Sequence, residues 1–335
     1  MDDTSRTDSG AVPPDIAEAA EGRSRAREAR DWETADRLRA VIEAAGWRVV
    51  DRGTNFRLEP AHPPDVEVGG EILYGRSDAV PSRLEEAPTG TATIVLVLEL
   101  GDPATIATVT ATARHAPPGV DLVIVGDAIG DATAFGIREV LRDSALPDSD
   151  FELIRTSAPL GRAAAINIGI RRALAPIVVS LDTSIEATAD IVTPLVGALL
   201  DPSVAVAGPF GLVSEDLRQF EEVSPPADRP LDVAAIQGYL MAFRRDDAAT
   251  RGPLDEAFRF YRNLDIWWSL VLRDEGEDVS PRRAVVVPDL ALVRRESWAW
   301  TSKRDGDRDR LSKRNFYRFL DQFRSREDLA VHPPS

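Results

Sequence analysis

Four apolar runs constrain this chain more than any other feature: TATIVLVLEL (91–100), VDLVIVGD (120–127), FELIRT (151–156) and PIVVSLD (176–182). The runs are largely apolar rather than alternating, and helical patterns beginning near 103, 131 and 161 separate them. Strands covered on both faces need apolar side chains on both faces, so the reading is an α/β fold with a mostly parallel sheet flanked by helices, in the order βαβαβαβ. Ligands of such sheets bind beyond the carboxyl ends of the strands. The polar groups at those ends are Glu99, Asp127 and Asp182. Strand-end acids also cap helices and turns, so each of the three has a structural reading beside the functional one.

Composition narrows the class. The 335 residues exceed a usual single domain, and 43% hydrophobic with 29% charged residues is the balance of a folded soluble protein. A formal net charge of −16 argues against a whole surface built for nucleic acid or anionic membrane. With no cysteine and only His62, His115 and His332, any metal site would need oxygen ligands. No apolar run is long enough to span a bilayer and no leader is readable, so a cytoplasmic location is expected, with a peripheral anionic surface as a further contact for the basic stretch 294–326.

In the segment LGRAAAINIGIRRAL (160–174), a Gly-Arg pair opens a helix that carries Asn167 and Gly169. A helix N-terminus beside an arginine can hold an anion, and glycine there can equally serve close packing. Taken in order, VIVGDAIGDAT, LGRAAAINIGIRRALAPIVVSLDTS, GPLDEAFRFYRNLDIWWSLVLRDEG and DRLSKRNFYRFL resemble family 2 glycosyltransferases of the GT-A, Rossmann-like fold over about residues 92–325. The resemblance implies a hexosyltransferase type of enzyme. It would move a sugar from a nucleoside diphosphate sugar to an acceptor hydroxyl with inversion. It places Glu99, Asp127, Arg162, Asn167, Asp182 and Ser184 on the nucleotide-sugar side and Gly238, Tyr239, Asp255 and Glu256 on the acceptor side. Asp265 falls at the general-base position when counted back from Gly276. Counted forward from Glu256 the position is Leu264, which cannot serve. The alternative for Asp265 is a helix N-terminal acid favoured by the dipole. Trp267 and Trp268 can stack a sugar or belong to the core.

Three departures from the family pattern stand out. Gly126 replaces the first acid of the usual DDGS stretch, Ser184 replaces the second acid of Asp-x-Asp, and VRRES offers Arg294 and Arg295 where the family often has a metal-binding histidine. Asp182, with one hydroxyl beside it, is a poor protein contribution to a Mg²⁺ or Mn²⁺ site. The expectation is therefore no cofactor or weak divalent metal binding, with Arg294 or Arg295 neutralising the diphosphate. Residues 294–326 hold eleven Lys or Arg against five Asp or Glu, although a solvated basic helix has the same signature. A catalytically degenerate nucleotide-sugar-binding protein is the alternative function.

Near the N-terminus, RAREARDWETADRLRAVIEAAGWRVVDRGTNFRL resembles the C-terminal extension of bacterial cysteinyl-tRNA synthetases. Trp32, Ala35, Leu38, Val41, Ile42 and Ala45 recur there at helical spacing before a weakly alternating hairpin. Docking or stabilisation is the expected role of this segment, and an adaptor contact with tRNA phosphates through the nine arginines of residues 23–58 is the alternative. The expected organisation is a disordered tail 1–22, the helix and hairpin 23–59, a Pro- and Gly-rich linker 60–90, the glycosyltransferase-like domain 91–325 and a tail 326–335.

Overall fold

A computed structural model describes residues 12–52, 55–144, 146–147, 150–223, 229–276 and 278–332. The chain forms two compact units, Met1–Arg76 and Ser77–Ser335.

In the first unit, α1 (Pro14–Glu28) precedes α2 (Trp32–Ala44), β1 (Trp47–Arg52) and β2 (Asn55–Pro60). The sequence pattern suggests one helix from residue 23. Two helices form instead, because Pro14 starts a helix earlier and Arg30, at φ 60°, breaks it. Asp31 then restarts the helix by accepting a hydrogen bond from the Thr34 amide at 3.1 Å. Of the expected tail, residues 1–11 lie outside the described residues, while 14–22 are helical. The small core is Ile16, Ala20 and Ile42 against Trp47, Val49, Phe56 and Leu58. Trp32 and Val41, grouped with that face by spacing, are exposed, because α1 covers the Ala35 and Ile42 side of α2. Arg23 holds both oxygens of Asp51 at 3.0 and 3.1 Å, which ties α1 to β1. Within the stretch read as a linker, β3 (Val66–Val68) and β4 (Glu71–Tyr74) form an antiparallel pair.

In the second unit, β5 (Ala92–Glu99), α3 (Thr105–His115), β6 (Val120–Asp127), α4 (Asp131–Arg142), β7 (Phe151–Thr156), α5 (Arg162–Arg172) and β8 (Ile177–Asp182) follow the expected alternation. Strands β8, β5, β6 and β7 lie side by side and parallel. On one face of β5, Ile94, Leu96 and Leu98 meet Val109 of α3 and Ile137 of α4. On the other face α5 comes so close that a Cβ on Gly169 would lie 2.0 Å from Val95 Cγ1, which supports the close-packing reading of that glycine.

The chain then changes character. After β9 (Ile185–Ala187), α6 (Val192–Ala198), β10 (Val204–Gly208), β11 (Gly211–Val213), β12 (Glu221–Val223), β13 (Leu231–Val233) and β14 (Ala235–Ile236), strand β15 (Leu240–Arg244) enters the sheet antiparallel between β8 and β10. Helices α7 (Arg245–Arg251) and α8 (Leu264–Arg273) lead to β16 (Arg283–Val286), which extends the sheet parallel to β10. β17 (Leu292–Arg294) pairs with β9, and α9 (Trp298–Thr301) and α10 (Asp305–Phe323) follow. Because β5 has β6 on one side and β8 on the other, the connection reverses direction at its carboxyl end and leaves a crevice there.

Candidate functional site

The crevice is lined by residues from strand ends, and its electrostatics follow from burial. Asp182, at the end of β8 opposite Val97, is buried. Its Oδ2 lies 3.1 Å from Arg162 Nη1, and its Oδ1 accepts the Ser184 amide at 2.8 Å. Arg162, the first residue of α5, is equally buried, and its Nη2 has no hydrogen-bond partner. A guanidinium in that state retains donors for an incoming acceptor atom. Half-buried Glu99 stands nearby, and burial pushes its carboxyl above the ordinary range against the pull of Arg162. Glu99, Asp127 and Arg162 line one cavity of about 310 Å³, together with Arg259, Tyr261 and Lys303. Arg259 lies within the GPLDEAFRFYRNLDIWW stretch and Lys303 within the basic stretch 294–326, and sequence reasoning missed both because no local pattern reports which residues of those stretches reach this cavity.

Asp127 has a structural task within that wall. Its Oδ1 accepts Thr156 Oγ1 at 2.9 Å and the Leu160 amide at 2.7 Å, and its Oδ2 accepts the Gly161 amide at 3.0 Å. The carboxylate thus holds the turn that feeds α5. Gly161 stands at φ 97°, and a Cβ there would lie 2.9 Å from the Arg259 backbone. Asn167 faces away from the cavities. Its Nδ2 donates to Leu254 O at 2.9 Å and Glu256 Oε1 at 3.0 Å, and its Oδ1 accepts the Leu254 amide at 2.8 Å. Glu256 also accepts Ser77 Oγ, and Asp255 pairs with Arg318. Asn167, Asp255 and Glu256 therefore brace the 254–256 loop and line none of the three cavities described here.

Asp265, in the first turn of α8, belongs to the other side of the crevice. Its Oδ2 accepts the Gly238 amide at 2.9 Å and its Oδ1 the Ile266 amide at 3.0 Å. Burial raises the carboxyl above its ordinary value, against the opposing effect of those two amides. A Cβ on Gly238 would lie 3.0 Å from Asp265 Cβ, so glycine there permits the approach. The next residue, Tyr239, carries the carbonyl that accepts the Asp182 amide at 2.9 Å. A cavity of about 20 Å³ touches Arg162, Asp182, Gly238, Tyr239 and Asp265 together. Beyond it a cavity of about 590 Å³ is walled by Asp265, Tyr239, Tyr261 and Trp300. Trp267 and Trp268 are core residues: both are buried, Trp267 Nε1 donates to Gln322 Oε1 at 2.7 Å, and Trp268 packs edge-on to Phe243.

β17 brings the paired arginines beside the strand-end acid. Arg294 pairs in register with Ile185, and the Arg295 amide donates to Ser184 O at 2.7 Å. The Arg294 guanidinium lies 4.2 Å from the Tyr239 ring centroid and 4.8 Å from that of Phe210, with Glu222 at 3.9 Å. The Arg295 side chain pairs with Glu186. Neither arginine lines the three cavities. The donor set around Asp182 fits a divalent cation poorly. One carboxylate is engaged by Arg162 and an amide, and the neighbouring Ser184 Oγ is a buried hydroxyl without a partner. Among the described residues no group of three His, Cys, Asp or Glu side chains is placed to hold a metal.

Residues 100–258 match the family model described as Glycosyl transferase family 2. The chain carries a family 2 glycosyltransferase domain. Its fold is GT-A, as in the crystal structure of GalNAc-T7 with UDP, GalNAc and Mn²⁺, which superposes with a TM-score of 0.56 at 15% identity over 70% of this chain and 48% of that one. A mannosyltransferase from Pyrobaculum calidifontis, in complex with GDP-Man and Mn²⁺, superposes with a TM-score of 0.46 at 20% identity over 64% of this chain and 59% of its own. The chain therefore spans about half the length of the first of these structures and 59% of the second. A third similarity is local: over 50 residues, 15% of this chain, it is 48% identical to a cysteine–tRNA ligase of Opitutus terrae, of which it covers 11%. No described helix is long and apolar enough to cross a membrane.

Proposed function

We propose that the family 2 domain transfers a sugar from a nucleoside diphosphate sugar to an acceptor hydroxyl with inversion. The observation that carries this reading is the small cavity that Asp182, Arg162 and Asp265 share, with the two larger cavities opening beside it. In this reading the nucleotide occupies the cavity of Glu99, Arg162 and Lys303, and the acceptor occupies the cavity of Tyr239 and Trp300. The hydroxyl meets Asp265, whose raised pKa suits proton uptake as the anomeric carbon is attacked from the face opposite the diphosphate. Divalent metal binding is weak or absent in this reading, and Arg294, which lies outside the three cavities against two aromatic rings and pairs with Ile185 next to Ser184, swings from those rings to meet the departing diphosphate.

A panel of nucleoside diphosphate hexoses, screened by thermal shift with and without Mn²⁺ and followed by turnover, tests the reading. The expected result is a stabilising donor, an inverted product anomer by NMR, and an Asp265→Asn variant that keeps donor affinity while turnover falls at least about a hundredfold. Unchanged turnover in that variant removes Asp265 from the base role, and a retained anomer removes inversion. Strict Mn²⁺ dependence together with a harmless Arg294→Ala removes the arginine substitution.

A second reading, a donor-binding protein without turnover, draws on the full engagement of Asp127 and Asp182 by protein donors. A third concerns the N-terminal unit, whose likeness to part of a tRNA ligase supports contact with tRNA. A low-salt mobility-shift assay with residues 1–76 deleted as the control separates that contact from simple stabilisation.

A further inference from the structure

The cavity of about 590 Å³ has three cations in its wall that acid–base chemistry does not require. Arg218 reaches it from the loop after β11, Arg262 from the turn before α8 and Lys313 from α10. None of these three has an ion-pair partner among the described residues. The acids of the same wall are otherwise engaged. Glu222 faces Arg294 at 3.9 Å, and Asp265 gives its oxygens to backbone amides, which leaves Asp309 as the unpaired carboxylate among the described lining residues. Three cations and three carboxylates thus share this wall, and all three cations are left without ion-pair partners among the described residues.

The cations are also placed for contact. The Arg262 guanidinium lies over the Trp300 ring at 5.2 Å from its centroid, a cation–π contact that leaves its N–H donors available. A neutral ligand in the cavity would displace water from three exposed cations without offering them a partner. A ligand with an oxyanion pairs them through charge-assisted hydrogen bonds.

We propose that the acceptor taken by this cavity carries a phosphate group, held by Arg262, Lys313 and Arg218, while one of its hydroxyls faces Asp265. This rests on the transfer reading for the word acceptor, but the binding itself is measured without any donor.

The test is calorimetric titration of the full chain with glucose 6-phosphate, and with glucose as the uncharged partner. A parallel arm measures cosedimentation with phosphatidylglycerol and phosphatidylcholine vesicles. Arg262→Gln and Lys313→Gln are compared with Arg310→Gln, which makes the same charge change on α10 at an exposed residue paired to Asp307 and outside the cavity. The expected result is that glucose 6-phosphate, phosphatidylglycerol vesicles or both bind at least about tenfold more tightly than their uncharged or zwitterionic counterparts. Each cavity variant should weaken binding about tenfold and Arg310→Gln less than about twofold. Binding of the soluble phosphate alone assigns a free acceptor, and binding of the vesicles assigns a lipid headgroup. Equal binding of charged and uncharged probes, no binding of either phosphate probe, or equal losses in all three variants overturns the proposal. Titration of the same samples with the nucleoside diphosphates of the donor panel keeps the two readings separable: failure of all of them counts against the transfer reading and leaves the phosphate result standing.

Discussion

Replacing Asn167 by alanine tests whether this residue serves the nucleotide or the scaffold. The amide makes three hydrogen bonds at 2.8, 2.9 and 3.0 Å, two of them to the backbone N–H and C=O of Leu254. Alanine leaves both buried Leu254 groups without their partner, while Glu256 keeps Ser77. At about 1–3 kcal/mol for each orphaned buried group, the loss should be about 3–4 kcal/mol once partial rehydration is allowed for. In a unit of this size each kcal/mol moves the melting temperature by about 2–4 °C, so the expected fall is roughly 6–16 °C. Calorimetric melting and urea unfolding measure the stability, and titration of the folded variant with its nucleotide measures affinity, expected within about threefold of the parent. A melting temperature within about 2 °C of the parent together with lost nucleotide binding would refute the scaffold assignment.

Further outcomes follow from the same geometry. Gly161→Ala forces a side chain into φ 97° and against the Arg259 backbone at 2.9 Å, so a loss of about 2–4 kcal/mol is expected in urea unfolding, with a shorter lifetime under limited proteolysis. Asp265 has a native pKa raised above its ordinary 3.8, so the native protein holds a proton that the unfolded chain releases. Its contribution to stability is therefore full below the unfolded pKa and declines as pH rises to the native one. Unfolding free energies measured across that interval should show a shallower downward slope with pH in Asp265→Asn, and an unchanged slope would count against the desolvated carboxylate. In the first unit, Arg23 beside Asp51 depresses the carboxyl, so that pair should stabilise above the unfolded pKa and lose its contribution as pH falls through the native one, a dependence that Asp51→Asn removes.

The sheet was legible because both faces of its parallel strands are covered, leaving continuous apolar runs such as Ile94–Leu98 that no surface element would carry. Spacing alone cannot reveal the break at Arg30 or the start at Pro14 that divide the first helical stretch in two, since both lie in backbone angles. At the site, strand-end acids could be located but their partners could not. Asp127 and Asn167 bond to loops 33 and 87 residues away, and no local pattern reports that. Arg259 and Lys303 reach the crevice for the same reason, through folding of distant segments. The missing second acid at Ser184 was readable, and so was the cationic character of the segment from Arg294. The stacking of Arg294 on Tyr239 and Phe210 was not, since it depends on β17 pairing with β9.

The two-residue segment Gly238–Tyr239 holds Asp265 through one peptide amide and Asp182 through one peptide carbonyl. Backbone atoms make both contacts, so changes to the Tyr239 side chain leave them in place, while any side chain at 238 presses on Asp265. Changes in the outer loops and in α10 can therefore alter the larger cavity without touching the two backbone contacts that link the acids. The spacing of the two acids thus depends on glycine at position 238 rather than on the outer walls of the larger cavity.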